Sequence, residues 1–259
     1  MNLGLEKQVV FVAGSSRGIG RAIGEALLAE GASVVLTGRD AATLENAQAE
    51  LGSGGRGDRL FSIAGDLCDP AVISSAFERT LRKFGRVDHL IANVGTGSGT
   101  PGWKQADDEW RRLFDINFFA PVRLTQAVLP YLLSNAGGSS IVYIASIVGL
   151  EASPAPLPYS AAKAALVNYS KNLARQLGPQ NVRVNAIAPG NIWFRGGSWD
   201  KRLSSHVADV EAMLESEVPQ RRFGTPEEVA SLAAYLCSPR AGFSTGACYV
   251  VDGGQTRSR

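Results

Sequence analysis

Short apolar runs alternate with longer amphipathic stretches along the whole chain. Residues 9–13, 34–37, 60–64, 87–92, 141–145, 182–187 and 248–251 form the runs. They are mostly apolar along their length, so they suit strands buried on both faces. The stretches between them carry helix signals. Gly31 stops the stretch at 20–30, Asp69 and Pro70 stand as N-cap and first residue of one ending near 84, and others span 41–51, about 107–133 and 226–236. This alternation predicts a doubly wound α/β fold, a mostly parallel seven-stranded sheet with helices on both faces. No linker, repeat or charge block divides the chain, so residues 1–259 are expected to form one domain.

Composition narrows the function. Apolar residues make up 45%, charged residues 19%, and the formal charge is +2. Nothing in that balance suggests a nucleic-acid or membrane partner, and a small-molecule substrate is expected. Cys68, Cys237 and Cys248 are scattered and are expected to be reduced and partly buried. His89 and His206 are read as structural or surface groups. No cluster of residues suggests a metal site. The apolar run near the N-terminus is short and interrupted by glycine, so a cytoplasmic location is expected.

The turn after the first run reads AGSSRGIG and leads directly into a helix. Gly14, Gly18 and Gly20 let backbone approach a pyrophosphate, with Ser16, Arg17 and Ile19 between them at the helix N-terminus. The spacing is not the common Gly-x-Gly-x-x-Gly. At the end of the second run, where an acid would grip a ribose 2′-hydroxyl, stand Thr37, Gly38 and Arg39. With Arg17 in the glycine turn, two guanidinium groups favour a 2′-phosphate, hence NADP(H) over NAD(H). Asp40 is the counter-evidence, unless it serves as an N-cap.

A second constellation follows the fifth run. Tyr159 and Lys163 stand four apart, on one face of a helix, and Ser146 closes the strand before them. A phenol with an ordinary pKa of about 10 is a poor proton donor at neutral pH. A neighbouring ammonium is expected to lower it into the working range. Residues 191–218 break the strand–helix rhythm. Their Gly196, Gly197, Trp193, Phe194 and Trp199 suit a lid, the alternatives being a surface excursion or a subunit contact. Trp103 either lines the pocket or packs in the core.

With the glycine turn, Ser146, Tyr159 and Lys163 in this order, the chain resembles the short-chain dehydrogenase/reductase family over essentially its whole length. It is most similar to members of the 3-oxoacyl-[acyl-carrier-protein] reductase type. The resemblance implies a Rossmann-type domain and a catalytic set of Asn117, Ser146, Tyr159 and Lys163, with Asn117 holding a water that links Lys163 to solvent. It adds Asp66, Leu67, Asn93, Gly95, Pro189, Gly190 and Ile192 to the coenzyme-binding residues, and matches Val251 to Gly254 to the C-terminal signature. Two departures stand out: Val94 replaces a small residue, and Phe194 stands where the family has a hydroxyl side chain. The implied activity is reduction of a ketone, with the aromatic and basic residues of the lid accepting an apolar substrate that carries a negative group. Oxidation of an alcohol, sugar or steroid hydroxyl, or an inert NADP-binding sensor, are the alternatives. The family also implies a homo-oligomer, tetramer or dimer; the apolar face of Val229, Leu232, Ala233 and Leu236 fits either a subunit contact or ordinary core packing.

Overall fold

A computed structural model of the protein describes residues 2–100 and 102–257. Its strands are β1 (Val9–Ala13), β2 (Ser33–Gly38), β3 (Leu60–Ala64), β4 (His89–Ala92), β5 (Ser139–Ile144), β6 (Val182–Pro189) and β7 (Cys248–Val251). They form one sheet in the order β3-β2-β1-β4-β5-β6-β7. Every pairing is parallel, so the sheet is wholly rather than mostly parallel. Register runs Phe11 to Leu90 and Val12 to Ile91 across β1 and β4, and Val142 to Asn185 across β5 and β6.

The period-two geometry of a strand explains the continuous apolar runs. Val10 and Val12 point to one face with Val34, Leu36 and Ile187, where α1 (Gly18–Ala29), α2 (Ala41–Leu51) and α9 (Pro226–Cys237) cover them. Phe11 and Ala13 point to the other, beneath α3 (Pro70–Phe84), α5 (Ala120–Leu133) and α6 (Leu157–Leu177). Each fully buried Val, Leu or Phe contributes roughly 1.5–3 kcal/mol of transfer free energy. Phe11 and Phe77 meet at 4.5 Å between ring centroids, tying α3 to the sheet centre. Asp69 caps α3 by accepting from the Ala71 amide at 2.8 Å, and Gly85 ends it at φ 76°.

Several boundaries differ from expectation. α1 starts at Gly18, inside the glycine turn, and β4 starts at His89. The helical stretch after residue 107 is three pieces: α4 (Asp107–Phe114), a π-helical turn at Asp115–Phe119, and α5, which contains Pro130. Periodicity cannot reveal such a turn, because the extra residue per turn is decided by packing. The lid carries α7 (Ser198–Leu203) and α8 (Val207–Glu217). The apolar face of α9 is core: Val229, Ala233 and Leu236 are fully buried. Among the described residues, no helix is long and apolar enough to cross a membrane.

Candidate active site

The strand order reverses between β1 and β4, and open parallel sheets bind ligands outside the strand ends at that point. Two side chains hold the glycine turn there. The Ser15 hydroxyl donates to the Val12 carbonyl at 2.7 Å and accepts from the Thr37 amide at 2.8 Å, while the Gly14 amide donates to Thr37 Oγ1 at 2.9 Å. Gly14 and Gly18 adopt φ 71° and 56°, values that favour glycine. A Cβ on Gly20 would stand 2.2 Å from the Gly14 carbonyl oxygen and 2.6 Å from Asn93 Nδ2. Asn93 Nδ2 itself donates to that carbonyl at 2.7 Å, linking the turn to the end of β4.

A cleft of about 280 Å³ opens over this turn. Gly14, Ser16, Arg17, Ile19, Arg39, Asp66, Leu67, Asn93 and Gly95 all line it, as expected from the sequence. Gly18 borders an adjoining cavity of about 310 Å³, which shares Ser16, Arg17 and Phe194 with the cleft. Gly20 lies buried beneath the turn. Pro189 ends β6, the Gly190 amide donates to the Val251 carbonyl at 2.9 Å, and Ile192 is buried; these three lie outside the cleft lining. Sequence reasoning missed Gly65 and Ile116 as cleft walls, singled out Val94 and Phe194 as departures from the family pattern, and used Thr37 and Gly38 only as markers of a missing acid. Gly65 and Thr37 were findable by their place at strand ends; Ile116 sits in the π-helical turn and was not.

Asp40 is an N-cap. Its carboxylate accepts from the Thr43 amide at 2.7 Å and from the Thr43 hydroxyl, which hold it below the ordinary carboxylate pKa. It does not line the cleft, whereas Arg39 and Arg17 do. The end of β2 and the glycine turn therefore each present one cation to the cleft.

The residues expected to carry proton transfer converge at the ends of β5 and α6. Ser146 follows β5 and caps a short turn at Ile147–Gly149. Tyr159 lies in the first turn of α6, with the Ser146 hydroxyl near enough to its phenol to pull the phenol's pKa down. Lys163, one turn further on, is buried, with its ammonium 5.9 Å from the Tyr159 ring centroid. Its Nζ donates to the Ile144 carbonyl at 2.8 Å. The glycine positions around it leave no spare room. A Cβ on Gly95 would stand 2.7 Å from Asn117 Oδ1 and 3.2 Å from Lys163 Nζ, and one on Gly149 would stand 2.7 Å from the Lys163 carbonyl carbon.

Burial dominates the electrostatics. It pushes Lys163 down from 10.5 to about 8. It also raises the Tyr159 phenol above 10.0, with the Ser146 hydrogen bond pulling the other way. The expectation of a phenol lowered by its lysine is therefore not met: desolvation outweighs any gain from the ammonium. Asn117 is held by three side-chain hydrogen bonds. Its Oδ1 accepts from the Thr96 amide at 3.0 Å, and its Nδ2 donates to the Thr96 and Leu113 carbonyls at 3.0 and 2.9 Å. The side chain anchors the loop after β4.

The aromatics of the lid do not act together. Trp199 packs on Phe223 at 5.3 Å between centroids with Arg202 above it, Phe194 turns toward Gly18, and Trp193 is 40% exposed. Of the three lid aromatics, Phe194 lines the cleft over the glycine turn. Trp103 is 76% exposed, which excludes core packing. His89 is buried between Ser140 and Gln8, and burial lowers it to about 4, consistent with a structural role. His206 is exposed and bonds Ser205. The three cysteines are free, and among the described residues no cluster of metal ligands occurs.

The chain is similar to known proteins. A family model described as enoyl-(acyl carrier protein) reductase matches residues 13–256. The 3-oxoacyl-[acyl-carrier-protein] reductase of Escherichia coli is 36% identical over 256 residues, covering 97% of this chain and 98% of the relative. Among solved structures, L-sorbose reductase from Gluconobacter frateurii, complexed with NADPH and L-sorbose, superposes with TM-score 0.93 at 33% identity over 100% of both chains. A 7α-hydroxysteroid dehydrogenase complexed with NADH and 7-oxo glycochenodeoxycholic acid gives 0.89 at 30%, over 99% of this chain and 97% of that one. Likeness at this identity and coverage extends through the glycine turn, the sheet and the Tyr–Lys helix, and these are oxidoreductases throughout. The chain belongs to the short-chain dehydrogenase/reductase family of oxidoreductases.

Proposed function

We propose that this oxidoreductase uses NADP(H) to reduce a ketone to a secondary alcohol. The observation that carries the reading is the contact of Ser146 with the Tyr159 phenol, one helical turn from the buried Lys163, at the strand ends that border the glycine cleft. The cleft fits a phosphorylated dinucleotide on its own chemistry: missing side chains where backbone must approach phosphate, a helix N-terminus, and Arg17 and Arg39 on its wall while Asp40 is outside it. When bound, the nicotinamide supplies the hydride that goes to the carbonyl carbon. Tyr159 gives its proton to the carbonyl oxygen, which Ser146 holds by a hydrogen bond as negative charge develops. Lys163, with a pKa of about 8, sits close enough to neutral pH to return a proton toward the phenol. Asn117 keeps the loop after β4 closed over Lys163, through its bonds to Thr96.

The substrate class is the finer part of the reading. A 3-oxoacyl thioester is supported by the sequence likeness to acyl-carrier-protein reductases, and Arg195, Lys201 and Arg202 on the lid suit an acidic carrier. The structural likeness to L-sorbose reductase supports a hydroxylated ketone instead. Loss of nicotinamide absorbance should be followed with NADPH and NADH against a panel containing a 3-oxoacyl thioester, L-sorbose and simple ketones. Faster turnover with NADPH supports the coenzyme assignment, and equal rates with both coenzymes refute it. We further read the enzyme as a cytoplasmic homo-oligomer, with the exposed Phe243 and Val250 as contact candidates, which sedimentation of the purified protein tests.

A further inference from the structure

Phe194 stands where the family has a hydroxyl side chain, and its ring is seated between two glycines from different segments. A Cβ on Gly18, the first residue of α1, would stand 2.7 Å from Phe194 Cζ, and one on Gly197 would stand 3.0 Å from the same atom. The first is closer than any real side chain packs and the second is close to that limit. Glycine on both sides is what lets the ring lie there. One of those glycines belongs to the phosphate-binding turn and the other to the lid.

A polar contact runs beside the ring. Arg17 Nη1 donates to the Gly196 carbonyl at 3.2 Å. Residues 194–197 form a turn closed by the Gly197 amide on the Phe194 carbonyl at 3.0 Å, with Gly196 at φ 78° and its amide on Asp200 Oδ2 at 2.8 Å. The lid is thus fixed to the glycine turn by one ring and one guanidinium, both drawn from residues that line the cleft. Neither contact is the strongest available to its partner. A helix N-terminus offers N–H groups and the positive end of a dipole, which a phenyl ring cannot satisfy and an anion can. A guanidinium can make two parallel charge-assisted bonds to a phosphate, against the single one that Arg17 makes to the Gly196 carbonyl.

We propose that Phe194 and Arg17 form a latch holding the lid on the glycine turn, and that the phosphates of the coenzyme compete with it. The pyrophosphate claims the α1 N-terminus covered by the ring, and the 2′-phosphate draws Arg17 away from Gly196. Coenzyme entry and lid release are then one event, and NADP(H) drives that event further than NAD(H). The inference rests on the NADP(H) reading above.

Two measurements test it: nucleotide titration by tryptophan fluorescence, and hydrogen–deuterium exchange of peptides covering 191–203. Phe194→Ser should tighten NADPH binding about tenfold, equivalent to about 1.4 kcal/mol, and raise lid exchange before nucleotide is added. Phe194→Tyr, which keeps the ring, should bind within about twofold of wild type. Arg17→Met, at an exposed site, should also raise lid exchange without nucleotide, and should erase the difference between NADPH and NADH in their effect on that exchange. Unchanged or weaker NADPH binding by Phe194→Ser overturns the latch, as does a lid whose exchange ignores both substitutions. Wild-type protein that binds neither nucleotide would instead overturn the coenzyme assignment.

Discussion

Lys163→Met separates the catalytic role of the ammonium from its effect on stability. In the folded protein Lys163 is 4% exposed and its pKa falls from 10.5 to about 8. At about 1.4 kcal/mol per pH unit, keeping this group charged inside the fold costs about 3 kcal/mol below pH 8. Methionine removes that cost and fills a similar volume. It cannot donate to the Ile144 carbonyl, which Lys163 reaches at 2.8 Å, and losing that bond costs about 1–3 kcal/mol. The two effects nearly cancel at pH 7, so the variant should lie within about 2 kcal/mol of wild type while losing turnover. The sign with pH follows from linkage. Between about 8 and 10.5 the unfolded chain holds a proton on Lys163 that the folded chain has released, so wild-type stability rises with pH across that window. Urea unfolding followed by tryptophan fluorescence at pH 7 and 10 reads the difference between the two proteins. Wild type should gain about 2–3 kcal/mol on the variant over that range. A variant destabilised by more than about 3 kcal/mol at pH 7, by an amount that does not change with pH, would refute burial as the controlling effect.

Tyr159→Phe should lower turnover about 10²–10⁴-fold while leaving the NADPH dissociation constant nearly unchanged, and retained activity would remove the phenol from proton transfer. Gly20→Ala should abolish nucleotide binding and lower the melting temperature, because its Cβ would meet the Gly14 carbonyl at 2.2 Å; a folded, binding variant would contradict that packing. His89, held at about 4 by burial, takes a proton in the unfolded chain first, so stability should fall by about 3 kcal/mol as pH drops from 6.5 to about 4. His89→Gln should flatten that fall in urea titrations, and an unchanged slope would assign it to other groups.

Much of the site was legible because its residues are tied to local sequence. The glycine turn, Arg39 at the end of β2, Ser146 at the end of β5, and the Tyr159–Lys163 spacing each follow from one segment and its place in the strand–helix order. Asp40 was ambiguous as a residue and became clear only from its bonds to Thr43. Asn117 was found by likeness, yet the work of its side chain depends on a π-helical turn that brings it to Thr96. The lid was legible as a break in rhythm, but its aromatics were misread. Whether Trp199 meets a substrate or Phe223, and whether Phe194 faces outward or Gly18, depends on partners far along the chain.

Hydrophobic period, glycine placement and the order of the polar residues determined the fold class, the position of the cleft and the set of proton-transferring groups. Those properties are encoded within single segments, where sequence spacing and spatial spacing coincide. Tertiary structure alone decided the sign of the Tyr159 shift and the seat of Phe194. Desolvation and side-chain competition are set by everything that surrounds a group, and those surroundings are assembled from segments far apart in the chain.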